Sequence, residues 1–389
     1  MGELSWWSAR EIARTAVGPM RSHPSPLTLA RGRTLAADVR ALVDLPGFPT
    51  AAMDGWVVSG AGPWVIVGSI DTGFPTETPL APGQAMRIAT GGVIPLGAEA
   101  VVPWELAQVA EGVVIADQPE KVHIRPQGEE CARGDVLARS GDLLNPALIG
   151  MLAASGIDEV DVFASPRVTV LILGDEVITS GVPGTGQVRD ALGVQLPGWI
   201  EALGGEMVSV RAVPDDRDAL VVAVRDAVEQ SDLVVATGGT ARGHRDFLRS
   251  ALQACDTEFL IDGVAVRPGH PMMLTRSQST PIVGLPGNPL SALVAVATLL
   301  MPIFDSWLGR GDSVLPEVNM AQGITPARKE LTRLMVGRRE LGGFHQVPYV
   351  SSAMLRGIAH ADGWAVIPAA GAQAGDVVPW IPLPWSRQG

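Results

Sequence analysis

Lysine is nearly missing from this chain of 389 residues: of 29 basic residues only Lys121 and Lys329 are lysines. A site that needs cations must therefore be built from arginine, whose planar, permanently charged guanidinium is no substitute for a compact ammonium. Cysteine is as scarce. Cys131 and Cys255 make no disulfide framework and show no metal-ligand spacing, which fits a reducing cytoplasm. There is no basic tail or stripe, and a formal net charge of -12 spread along the chain excludes the electrostatic footprint of a nucleic-acid binder. No apolar run reaches the ~20 residues that span a bilayer. The longest, residues 290–304, contains Pro302 and reads as a buried helix, so no membrane partner is expected. The first seventeen residues alternate charged and apolar positions and lack the continuous apolar core of a signal peptide. His123, His345 and His360 are scattered without metal-binding spacing. Neither a Walker P-loop nor a G-x-G-x-x-G fingerprint is present, which argues against P-loop ATPases and Rossmann dehydrogenases.

What is present is enough apolar material, 47% of residues, to bury more than one core. Residues 1–43 read as a helix followed by turns, with Ser22-His23-Pro24-Ser25-Pro26 as a break. Residues 44–137 carry short Val/Ile runs between Gly and Pro clusters, the texture of a small antiparallel β domain. A helical pattern returns at 143–156, with Pro146 near its start and Gly156 just past its end. The β domain thus reads as an insertion into an elongated helical segment made of 1–43 and 138–163. In residues 164–310, strands at 168–173, 207–213, 232–236 and 281–283 alternate with helices at 193–203, 217–229, 247–254 and 290–304. That alternation predicts a doubly wound, mostly parallel sheet with helices on both faces and ligands at the carboxyl ends of the strands. Residues 311–389 read as a C-terminal β domain. The expected class is multidomain α/β.

Four segments place polar or glycine residues where a strand ends. Gly174-Asp175-Glu176 brings two adjacent carboxylates, suited either to capping a turn or to holding Mg2+ against phosphate oxygens. Thr237-Gly238-Gly239-Thr240 runs through Ala241 and Arg242 to Asp246 before a helix; such glycines let backbone N–H groups close on an anion, or simply make a tight turn. Gly284-Leu285-Pro286-Gly287-Asn288-Pro289-Leu290-Ser291 is a rigid loop opening the apolar helix, suited either to lining a site or to a turn packed for stability. Arg267-Pro268-Gly269-His270-Pro271 offers a fixed cation and an imidazole, either facing an oxyanion or lying in a solvated hairpin tip. In the insertion, Met53-Asp54-Gly55-Trp56 and Arg87-Ile88-Ala89-Thr90-Gly91 form polar loops between apolar strands.

In this order the segments resemble the molybdopterin molybdenumtransferase family, also called MoeA or the gephyrin E domain. Its pieces S-A-M-D-G-Y-A-V, R-I-x-T-G-x-x-x-P-x-G-A-D-A-V-V, S-T-G-D-E-L, V-x-D-D, S-G-G-V-S-x-G-x-x-D-Y, K-P-G-K-P and G-L-P-G-N-P-V-S correspond to residues 51–57, 87–102, 171–177, 213–216, 237–247, 267–271 and 284–291. The likeness spans nearly the whole chain. It implies an elongated homodimer that works on a small pterin nucleotide, with a protein partner in the cofactor pathway. It also implies the reaction: adenylylated molybdopterin and molybdate are the substrates, Mg2+ assists, and molybdenum cofactor and AMP leave. By the resemblance, Asp54 and Thr90 reach the cleft from the β domain, from the partner protomer. Glu176, Asp215 and Asp246 surround the nucleotide phosphate and Mg2+; Gly238, Gly239 and Thr240 form the pterin loop; Pro286, Pro289 and Ser291 lie on the molybdate side.

Several positions depart from the family pattern. The lysines of K-P-G-K-P are Arg267 and His270, which predicts a weaker hold on molybdate. The family's S-x-G-D-x-D is Ala241-Arg242-Gly243-His244-Arg245-Asp246, and its H-R-V is His345-Gln346-Val347, whereas Ser352 keeps the serine. The acid of G-E-D is replaced near Glu129-Glu130, and D-S-N is Asp190-Ala191-Leu192. The retained acids favour an active transferase. The lost lysines and arginine would suit a dimeric scaffold that binds a partner without inserting molybdenum.

Overall fold

The computed structural model describes residues 4–240, 247–311, 314–327 and 330–386. Alternation of apolar side chains decides its central sheet. In strand Arg167–Leu173, Val168, Val170 and Ile172 enter one core while Leu171 and Leu173 enter another. Strand Leu233–Thr237 divides the same way, Leu233 and Val235 against Val234 and Ala236. Strands buried on both sides require cover on both faces. Helices Leu192–Leu203 and Pro289–Ala295 cover the first face, Arg217–Gln230 and Phe247–Ala254 the second.

The sheet order is Glu206–Val213, Arg167–Leu173, Leu233–Thr237, Thr280–Leu285, Met273–Ser277, Glu258–Asp262. The first four strands are parallel and the last two antiparallel. The sequence pattern predicts the parallel four but not the antiparallel pair. Polar Thr275, Arg276 and Ser277 break the apolar run, and the tight turn before Thr280 uses Gln278, at a φ of 55°, instead of glycine.

The insertion hangs on nested antiparallel pairs. Ser22–Pro26 pairs with Glu159–Phe163, Val39–Arg40 with Val136–Ala138, and Thr50–Ala51 with Ile124–Arg125. Ser22–Pro26 is therefore a strand and not the break that its prolines suggest. A strand with a partner on one side only can lack two N–H donors. Beyond these pairs lies a six-stranded sheet, buried on both faces around Val57, Met86 and Val101 on one side and Trp56, Trp64 and Val102 on the other. Its strands are not all antiparallel as the texture predicts, since Trp64–Ile70 runs parallel to Gln84–Ile88. The C-terminal sheet has seven strands and borrows two from elsewhere: Val264–Arg267 pairs parallel with Thr332–Glu340, and Leu4–Ser5 pairs parallel with Val264–Arg267.

The apolar run becomes one helical stretch, Pro289–Trp307, with a π-helical segment at Val296–Leu300. By length and composition it could cross a bilayer, yet 83% of its most apolar window is buried inside the fold. Helix Trp6–Thr15 packs on it. The Trp6 indole N–H donates to Thr298 Oγ1 at 2.9 Å, and that hydroxyl donates to the Val294 carbonyl at 2.7 Å. Arg10 donates to the Ala297 carbonyl within the π turn, where the wider hydrogen-bond pattern leaves carbonyls needing donors. Burial pulls the Arg10 guanidinium down to about 10, against the opposing charge of Asp305. Trp6→Ala should destabilise the fold by about 3–5 kcal/mol, as large-to-small core changes do, and lower the urea denaturation midpoint; an unchanged midpoint would mean that this helix does not hold the core together.

Candidate functional site

The parallel strands of the central sheet end in step. Leu173 pairs with Val213, Ile172 with Thr237, and Thr237 with Leu285. The helix after Arg167–Leu173 lies on one face of the sheet and the helix after Leu233–Thr237 on the other. Chain segments that diverge in this way leave a crevice at the carboxyl ends of the strands. A cleft of about 740 Å³ occupies that place.

Each of the four loops contributes a wall. Glu176 comes from the first, Asp215 from the second, Gly238, Gly239 and Thr240 from the third, and Pro286 and Pro289 from the fourth. Backbone contacts hold the loops together. The Asp175 carboxylate accepts from the Asp215 N–H at 3.1 Å, and the Gly238 N–H donates to the Leu285 carbonyl at 2.9 Å. Gly239 has a φ of 62°, and a Cβ there would sit 3.1 Å from Leu248 Cβ, so the loop passes close over helix Phe247–Ala254 only as glycine.

The polar lining is mostly acidic: Glu176, Asp190 and Asp215 face one cation, Arg189, among the described residues. The Asp190 carboxylate accepts from the Gly193 N–H at 2.8 Å and so fixes the start of helix Leu192–Leu203. Arg189 stands on the short strand Val188–Arg189, parallel to Val177–Ile178, and donates to the Ile178 carbonyl at 3.2 Å. Sequence reasoning passed over Arg189 as a site residue, and named Asn288 only as part of its loop. A two-residue strand carries no periodicity; the one available signal was its place immediately before Asp190.

Other expected residues lie around this cleft and not in its lining. Arg267 and His270 are exposed, although their loop abuts the start of the apolar helix: a Cβ on Gly269 would sit 3.0 Å from the Ser291 carbonyl, and Pro271 lines the cleft. His270 Nδ1 lies 2.9 Å from the Val264 carbonyl, which can only accept, so Nδ1 carries the proton. Ser291 is buried. The Ser352 carbonyl accepts from the Leu290 and Ser291 N–H groups at 2.9 and 3.2 Å, meeting donors that a helix start leaves without partners. Asp246 lies outside the described residues.

Asp54 and Thr90 are also absent from the cleft lining, but they meet each other. One Asp54 oxygen accepts from the Thr90 N–H at 2.6 Å and from its hydroxyl at 2.8 Å. The backbone bond and then the hydroxyl hold this carboxyl below the ordinary aspartate value, with Arg87 adding to the effect. Among the described residues no three His, Cys, Asp or Glu side chains converge to hold a metal.

A glycine- and proline-walled cleft at the switch point of a doubly wound sheet has the form of a small-molecule binding site. Comparison with known families narrows the class. Residues 4–156 match the MoeA N-terminal region (domain I and II), 169–306 the "Probable molybdopterin binding domain" and 320–383 the MoeA C-terminal region (domain IV). A molybdopterin molybdenumtransferase 2 of Mycobacterium tuberculosis is 32% identical over 367 residues, covering 88% of this chain and 90% of the relative. A molybdopterin molybdenumtransferase of Staphylococcus aureus is 29% identical over 383 residues, covering 92% and 91%. A molybdopterin biosynthesis MoeA protein of Pyrococcus horikosii superposes with a TM-score of 0.78 at 26% identity, covering 97% of this chain and 98% of that one. The chain belongs to the molybdopterin molybdenumtransferase family, transferases of molybdenum cofactor biosynthesis, as its ordered motifs imply.

A depressed carboxyl stabilises the folded state above its unfolded pKa, and that contribution is lost as pH falls through the folded value. Thr90→Val removes the hydroxyl donor, so the NMR titration midpoint of Asp54 should rise toward the ordinary aspartate value. A midpoint that stays in place would leave the effect to the backbone bond and Arg87.

Proposed function

We propose that the cleft binds adenylylated molybdopterin and that the enzyme transfers molybdenum from molybdate to its dithiolene, releasing AMP. One observation carries this reading: Glu176, Asp215, the Gly238-Gly239-Thr240 turn, Pro286 and Pro289, far apart in sequence, line a single cleft in a family of molybdopterin transferases. Backbone N–H groups of the glycine turn suit an anion, and the proline-walled loop offers a rigid surface next to it. Arg267, His270, Ser291 and Ser352 border that loop, which supports their assignment to the molybdate side.

A phosphoanhydride entering an acid-lined cleft needs a counter-charge. Mg2+ fits the donor set, because it favours one or two carboxylates with substrate phosphates and water over an all-protein cage. Glu176 and Asp215 stand on adjacent loops, and with Asp246 they would hold it. When bound, the ion would neutralise charge on the phosphate oxygens and polarise the anhydride. The chain's own residues orient the substrate: Asp190 sets the helix start, and Arg189 supplies a guanidinium for a phosphate oxygen. Asp54 and Thr90 do not line the cleft of their own chain. We assign this pair to the cleft of the other protomer in a homodimer. No observation favours a scaffold without chemistry.

Purified protein given adenylylated molybdopterin, Mg2+ and molybdate should release AMP and activate an apo-molybdoenzyme. Asp246→Ala should abolish release, and chelating Mg2+ should halt it reversibly; tight pterin binding with no AMP formed would overturn the reading. Arg189→Ala should raise KM for the pterin nucleotide by ~10-fold or more, as expected for one charge-assisted hydrogen bond, and Arg189→Lys should recover part of it. A KM unmoved by either change would remove Arg189 from the phosphate site.

A further inference from the structure

We infer that the chain carries a second anion site, at the end of the central sheet opposite the pterin cleft, that takes an organic phosphate of mononucleotide size. A cavity of about 670 Å³ lies there, a size typical of small-ligand sites. Arg167, the first residue of strand Arg167–Leu173, and Asp232, just before Leu233–Thr237, line it, so it sits where the parallel strands begin. The length of one strand separates it from the cleft, ~20 Å at the rise of extended chain.

Three arginines, Arg21, Arg167 and Arg276, and one acid, Asp232, line the cavity. Arg276 is paired with Glu258 at 2.6 Å. The Asp232 carboxylate accepts from the Arg167 backbone N–H at 2.8 Å, which fixes it against the strand start. The Arg21 and Arg167 guanidiniums pair with no side chain among the described residues. In a chain of net charge -12 a pocket with this surplus of cations runs against the surrounding field and concentrates anions. Guanidinium forks match phosphate oxygens two at a time. The remaining wall mixes apolar Val17 and Met20 with polar Ser165, Gln278 and Ser279, which suits a ring carrying its own donors and acceptors attached to the phosphate.

The cavity also sits at a joint. Residues 18–21, which follow the first helix, and 164–167, which enter the central sheet, are the two crossings to the limb that bears the inserted sheet, and the Ala164 N–H donates to the Arg21 carbonyl at 2.9 Å between them. A phosphate held by Arg21 and Arg167 together would tie both crossings.

Isothermal titration of AMP into the full chain tests this. Two classes of site are expected. The double variant Arg21→Glu, Arg167→Glu should weaken one class by ~10-fold or more, the loss of charge-assisted bonds, and leave the class sensitive to Arg189→Ala in place. Its thermal melt by circular dichroism checks the fold, and Arg21→Gln and Arg167→Gln singly serve as milder versions. Inorganic phosphate should bind this class more weakly than AMP; equal affinity would overturn the mononucleotide assignment. A single class, abolished by Arg189→Ala and untouched by the arginine changes at 21 and 167, would overturn the site. The loss in the double variant reads out whether or not the cleft performs molybdenum transfer.

Discussion

Burial of the Pro289–Trp307 stretch on every side is the constraint from which the other regions take their places. Its side chains share one core with Trp6, Ala9 and Ala13 of the first helix, with Val168 and Val235 of the central sheet, and with Trp364 and Ile381 of the C-terminal sheet. Removing so much apolar surface from water is the dominant favourable term in folding. It requires that three regions distant in sequence close on the same helix. The start of that helix is also the Pro286–Pro289 wall of the cleft, and the Ser352 carbonyl meets its first N–H donors. Assembly of the core and placement of the site are one event.

The far end of the helix is polar where it meets the limb. Asp305 lies 3.9 Å from Arg310 and also feels Arg10; burial pushes its carboxyl up while the two arginines pull it down. Breaking such a group by deleting one partner leaves a buried charge uncompensated, which is more damaging than never having it. The cluster thus favours one seating of the first helix and of the chain leaving at Arg310, and apolar packing alone has no comparable directionality.

Much of this was legible in the sequence, for identifiable reasons. The four parallel strands and their helices carry strong periodicity because both faces of the sheet are buried, so apolar runs stay unbroken. The loops at their ends were visible because glycine and proline mark backbone that cannot be helix or strand, and Gly174, Gly238, Gly239, Pro286, Gly287 and Pro289 do line the cleft. What failed to show was structure made by partners remote in sequence. Ser22–Pro26 is a strand only because Glu159–Phe163 returns beside it, and Val264–Arg267 leaves the central region for a sheet built mostly from residues after 316. Arg189 was hidden for the same reason, its two-residue strand existing only through Val177–Ile178.

The scarcity of lysine then acquires a physical reading. Arg267 and His270 occupy the family's two lysine positions but stand exposed on the rim, the imidazole proton committed to the Val264 carbonyl. A planar guanidinium presents its donors in a fixed fork where an ammonium is a compact, rotatable point charge, and this loop packs against Ser291 at Gly269. Among the described residues the cation in the lining is Arg189, on the ribbon after strand Arg167–Leu173. The charge in the lining is thus, among the described residues, a guanidinium facing Glu176, Asp190 and Asp215.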